Sequence, residues 1–266
     1  MKSLTQKFAA AFMLVAMLST TMFTGCAKKG EEPTLPPQAS MIADFSDFDD
    51  AQRTTDSTDT WTHAGVNVLV WNVVLYVNLA VPTAAFGEAF NHDAKYNRKT
   101  EHWIRSYDFN WAGKYTADLH GWIAEGEVNW EMHVSKDGGF QDVIWFSGES
   151  QIDRSNGNWT LNKDGNNPVN YIGIDWTKGG NDTDVDIRFT NILASDANNG
   201  DYIDAGELKN DPDYDRFYNI YRAASSNMIE IKWHHLNQNG RVKDPAHFGD
   251  SDWHCWNEFH ADMVCQ

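Results

Sequence analysis

Residues 66–90 read VNVLVWNVVLYVNLAVPTAAFGEAF, and almost nothing else in the chain is as apolar. Between 66 and 81 the polar interruptions are Asn67, Asn72 and Asn78. At about 100° per residue, Asn67 and Asn78 fall on one side of a helix and Asn72 well away from them, so such a helix is apolar almost all round and belongs inside something. Its early valines would also suit a buried strand, but the run is longer than ordinary strands. Pro82 predicts a kink or break. A transmembrane span is the competing reading, since about 20 apolar residues cross a bilayer. The three asparagines, Pro82 and the lack of basic flanking residues argue for a core element instead.

Downstream, the period changes from helical to alternating. Residues 114–124 place Tyr115, Ala117, Leu119, Gly121 and Ile123 on one face, and 127–136 place Val128, Trp130, Met132 and Val134 on one face. With Glu125-Gly126 as a two-residue turn, every inner pair is apolar and Gly121 stands opposite Trp130, the bulkiest residue. A slip of one residue destroys that match. Further strands are expected at 140–150, 158–163, 169–178, 183–192 and 228–236, joined by short connections rich in glycine and asparagine. Residues 92–103 read as a polar connection. The predicted fold is mainly β with one apolar helical segment: an antiparallel meander curled as a partly open barrel around residues 66–90, with a β-sandwich as the alternative.

The N-terminus reads as a processing segment. Lys2 and Lys7 precede an apolar run at 8–18, and Phe23-Thr24-Gly25-Cys26 follows. This resembles a bacterial lipobox, which implies a signal peptide over 1–25 and lipidation of Cys26. Residues 26–60, rich in proline and aspartate, read as a tether, with Phe45 and Phe48 available to dock it. Residues 61–266 read as a single β-rich domain. The expected location is exported and lipid-anchored to a bacterial membrane, at the outer membrane or cell surface, with the lipid as the membrane partner.

The formal net charge is −17. Removing the segment before Cys26 takes away Lys2 and Lys7 and no acids, leaving −19. Nucleic acid is excluded as a partner, because neutralising phosphates needs clustered Lys and Arg. With Cys26 assigned to lipid, Cys255 and Cys265 are expected to form a local disulfide.

Several residue groups could carry function. Trp130, Trp176 and Trp233 lie on predicted inner faces; core bulk is the plain reading, and lining for an apolar ligand is the functional one. The hairpin register sets Asp118 opposite His133 and His120 opposite Glu131 on the outer face, which is either ordinary cross-strand pairing or a metal or acid–base patch. Asp196, Asn198, Asp204 and Glu207 take positions one, three, nine and twelve of a calcium-loop frame. Gly200 and Asp201 stand in the reverse of the usual order there, so calcium is a possible cofactor but not the favoured reading. His247, Asp250, Asp252, His254 and His260 crowd the C-terminal run around Cys255. Trp122 and Trp159 are candidates for a sugar platform. No nucleophile elbow, phosphate loop or zinc-protease helix motif is present, so the reading leans away from an enzyme.

Arg241-Val242-Lys243, followed by FGDSDWHCW at 248–256, together with the run at 67–90 and GNWTLNK at 157–163, resembles a group of bacterial lipoproteins that carries no established activity. The resemblance implies envelope attachment and transfers no function, since none is established for the group. The leading expectation is a non-catalytic binding or structural role toward an apolar or amphipathic ligand. A glycan-binding or glycan-acting surface protein and a metal-dependent enzyme are the rivals.

Overall fold

The computed structural model describes residues 30–43, 45–48, 59–181 and 184–265. The signal segment, Cys26 and residues 49–58 lie outside the described residues. Among those described, fourteen strands form one sheet: β1 (Lys95–Asn97), β2 (His102–Asn110), β3 (Lys114–Ala124), β4 (Glu127–Lys136), β5 (Val143–Gln151), β6 (Asn156–Asn162), β7 (Asn170–Lys178), β8 (Val185–Asn191), β9 (Tyr202–Glu207), β10 (Arg216–Arg222), β11 (Asn227–Trp233), β12 (Gly240–Lys243), β13 (His254–Trp256) and β14 (Asp262–Met263). Spatial order equals chain order, neighbouring strands are antiparallel, and the sheet does not close on itself.

The β3–β4 hairpin has the register its sequence demands: Gly121 opposite Trp130, His120 opposite Glu131, and Asp118 opposite His133. Glu125 and Gly126 both have positive φ, 54° and 89°. That backbone belongs to the tight two-residue turn whose twist matches the strands. The expected connection at 92–103 is instead β1 and the start of β2. Arg105 interrupts the inner face of β2 among Trp103, Tyr107 and Phe109, which hides the alternation. The guanidinium is accommodated by Glu32, 2.9 Å away, and by the carbonyl of His92.

Helix α1 spans Asp59–Glu88 and runs unbroken through Pro82. Pro82 sits on the buried stripe with its ring in the core. Two of the asparagines are accommodated by donating to the carbonyl four residues back, Asn67 to His63 and Asn78 to Val74. One stripe is buried, including Trp61, Ala64, Val68, Trp71, Leu75 and Leu79. The opposite stripe is not, so the expectation of burial all round fails. By length and composition Asp59–Asn91 also meets the requirement for a membrane span.

The helix joins the two ends of the sheet. At its N-terminus Thr60 N donates to Asp262, and Trp61 stacks on His260. His63 meets Asp244, which follows β12, and Arg222 at the end of β10 donates to Asn67. At its C-terminal end the Tyr107 hydroxyl of β2 donates to the carbonyl of Ala85 at 2.6 Å.

Residues 33–48 correct the tether reading. Leu35, Ser40, Met41, Phe45 and Phe48 are buried in the same hydrophobic cluster as the strands. Trp159 Nε1 donates to Ser40 Oγ, Phe45 stacks on Tyr218, and Phe48 packs edge-on against Trp233 and Trp256. The segment crosses the concave face from β2 to β13, and the two phenylalanines dock it as expected.

Candidate functional site

The apolar segment and the N-terminal segment leave a cleft between them. Its floor is Leu75 and Leu79 of α1 with Phe189 of β8, and its outer wall is Met41, Ile42, Ala43 and Phe45. Trp111, in the β2–β3 turn, and Tyr76 stand at the mouth; Asn72 and Thr83 are the polar side chains of the lining. The volume is about 300 Å³, at the small end of ligand pockets, which run roughly 300–1,000 Å³. Such a space suits one chain or ring system rather than a lipid with several acyl chains.

On the other side of the Ile42–Ala43 wall lies a second cleft of about 210 Å³, lined by Asp47, Glu207, Arg216, Tyr218, Trp233 and His235 among others. Asp47 accepts from Trp233 Nε1 at 2.9 Å and lies 3.1 Å from His235 Nδ1, while Arg216 pairs with Glu207 at 2.9 Å. An apolar slot and a charged one therefore share a thin wall. Sequence reading missed Met41, Ile42 and Trp111. The available signal was four apolar residues, Met41, Ile42, Phe45 and Phe48, inside an otherwise acidic run.

The three singled-out tryptophans are core. Trp130 donates to Ser150, Trp233 to Asp47, and Trp176 Nε1 finds no partner. Trp233 also lines the charged cleft. Trp159 is buried against Phe86 and Phe146, which removes it from any exposed sugar platform. Trp122 is half-buried and stacks on His102 with centroids 4.1 Å apart.

The outer-face patch is assembled and gains a member. His102 Nδ1 of β2 lies 3.2 Å from His120 Nδ1, His120 stacks on His133, and His133 contacts Glu131 and Asp142 at 3.3 and 2.9 Å. Burial holds the His102 and His120 imidazoles below their ordinary pKa, and for His120 the adjacent His133 and His102 push the same way. The 3.2 Å Nδ1–Nδ1 contact is a hydrogen bond when one of the two nitrogens carries its proton and the other does not, which the lowered pKa values favour. Among the described residues, no three His, Cys, Asp or Glu side chains are grouped to hold a metal ion.

The calcium frame is pulled apart by strand β9. Asp204 forms a two-pronged pair with Arg188, and Glu207 faces Arg216. Asp196 caps its own turn through Asn198 N. These carboxylates serve different partners and do not converge.

Near the C-terminus Cys255 and Cys265 are joined, with Cα atoms 5.3 Å apart. Asp244 caps the short helix α2 (Pro245–Phe248) and also binds Asn227 and His63. His247 stacks on His63, and His254 stacks on Phe248 while meeting Asp250. The histidines of this run thus act as packing and hydrogen-bonding groups. The fold and clefts define an open antiparallel meander bridged by a helix, with a small apolar slot. Comparison with family models, curated proteins and solved structures finds no match for this chain.

Proposed function

We propose that this is an exported, lipid-anchored envelope protein that binds a small apolar or amphipathic ligand without transforming it. The observation that carries the reading is the 300 Å³ cleft between α1 and residues 41–45, apolar in its floor and walls. The charged cleft lies on the far side of the Ile42–Ala43 wall, where Arg216 is paired with Glu207 and Asp47 with Trp233, so the apolar slot is the part that takes the ligand. Attachment through Cys26 rests on the lipobox-like FTGC at 23–26, and the acidic balance turns the protein away from nucleic acid.

The direct test is binding of N-phenylnaphthylamine, a dye that brightens in apolar sites, by the purified chain. Ala80 lines the cleft, so Ala80→Trp fills it. Saturable binding by the natural chain and its loss in a folded Ala80→Trp variant are expected. Equal binding by both, or binding by neither, overturns the cleft as the site. Native mass spectrometry of chain purified from an envelope extract then reports the mass carried. For the anchor, a tagged fatty acid should label the chain and fail to label Cys26→Ser.

A further inference from the structure

The outward face of α1 carries apolar side chains to which the described residues supply no cover. Val66, Val70, Val73 and Val77 are 41%, 46%, 57% and 71% exposed. On a helical wheel they fall within about 60° of one another, directly opposite the buried stripe. No Asp, Glu, Lys or Arg occurs between Asp59 and Glu88, although the chain as a whole carries −17. A helix with one solvated face ordinarily carries charged residues there.

The spacing names the kind of partner. Steps of four, three and four join the valines, and Ala80 and Ala84 continue the pattern with steps of three and four. Alternating threes and fours with β-branched residues is the seam by which one helix packs on another. Tyr76, Ile42 and Trp111 flank the stripe on its cleft side and are 67%, 41% and 41% exposed.

We propose that α1 packs antiparallel on α1 of a second copy. A two-fold axis between Val70 and Val73 sets Val66 against the partner's Val77 and Val70 against the partner's Val73, so one patch satisfies itself. A lipid surface fits less well. Helices that lie in a membrane interface carry Lys and Arg on their polar face, and α1 has neither between Asp59 and Glu88. The chain also enters the fold far away: Gly30 accepts from Trp103 at the start of β2, whereas Trp111, which shares the cleft with Tyr76, follows its end. Eight strand residues separate them by about 27 Å. An anchor preceding Gly30 leaves from that far end.

The full chain, solubilised in an uncharged detergent, is the material for the test. Light scattering is expected to give a dimer mass, and Val73→Glu to give a monomer with an unchanged circular dichroism spectrum. Because two acidic copies meet through an uncharged seam, raising NaCl from ~0.05 to ~0.5 M should tighten the association by screening their repulsion. Oxidising cells that carry full-length Val70→Cys/Val73→Cys should yield covalent dimers, while Asn237→Cys, in the β11–β12 turn, should not. A monomer mass for the natural chain, or cross-linking no greater than that of Asn237→Cys, overturns the proposal. So does protection of the stripe by phosphatidylcholine vesicles in place of dimerisation, which would assign the face to lipid. Val73 lies outside the cleft lining, so dye binding that survives Val73→Glu while the dimer is lost, or a dimer that binds no dye, separates the two proposals although Ala80 belongs to both features.

Discussion

Gly121 of β3 faces Trp130 of β4, and a methyl group at Gly121 would stand 2.6 Å from the indole Cζ3. The arrangement recurs along the sheet: Gly148 beside Trp159, Gly157 beside Trp176, and Gly240 beside Trp256, each with the ring within 3 Å of a Cβ the glycine lacks. Large indoles fit a curved inner face because the neighbouring strand offers bare backbone. Gly121→Ala should therefore destabilise the fold by about 1–3 kcal/mol, the usual cost of overpacking a core. Urea unfolding checks this; an unchanged midpoint would mean that Trp130 can move aside freely.

Asp244 is the joint between helix and sheet. Its carboxylate is almost wholly buried, accepts from Asn227 and from the first amides of α2, and lies 2.8 Å from His63 Nε2. Asp244→Ala removes a helix cap and hydrogen bonds to a charged group, a loss of about 2–4 kcal/mol. His63→Ala should cost less, since the cap remains. Thermal unfolding of the two variants gives the ranking.

Stability should fall on mild acidification. Burial lowers the His63, His102 and His120 pKa values below 6.5 in the folded chain. The unfolded chain then binds more protons below that pH, so stability is full above 6.5 and declines as pH falls toward the folded values. Charging His102 and His120 together also sets two cations against each other. Urea midpoints at pH 5 and 7.5 should show the decline, and His120→Asn should make it shallower. A midpoint that rises on acidification would contradict the sign.

Reducing the Cys255–Cys265 bridge opens a loop ten residues apart in sequence, which loop-closure entropy values at roughly 2–3 kcal/mol. His260 lies within that loop and stacks on Trp61 at 3.9 Å. Loss of the bridge should therefore loosen the start of α1, seen as faster amide exchange there than at residues 80–88.

The sheet was legible wherever apolar residues alternate without interruption. The β3–β4 register follows from Ile123, Gly121, Leu119 and Ala117 meeting Val128, Trp130, Met132 and Val134. It was illegible where a buried charge breaks the alternation, as Arg105 does in β2, or where only two inner residues mark a strand, as Ile203 and Ala205 do in β9. The acidic frame at 196–207 looked like a loop because cross-strand ion pairs and cation ligands draw on the same side chains. The helix was legible as apolar, but composition cannot say that one face is covered and the other bare. The cleft escaped notice because one wall comes from residues 41–45, whose aspartate-rich surroundings masked four core side chains.

The segment that threads the concave face sets the order of assembly. Each strand of the meander meets its neighbour within a short length of chain, so the sheet can zip together locally as it lengthens. Phe48, by contrast, packs against Trp256, more than two hundred residues later. The earliest-made part of the core is thus completed only by the last-made part, after Phe189, Tyr218 and Trp233 have covered Phe45 and Phe48 in turn.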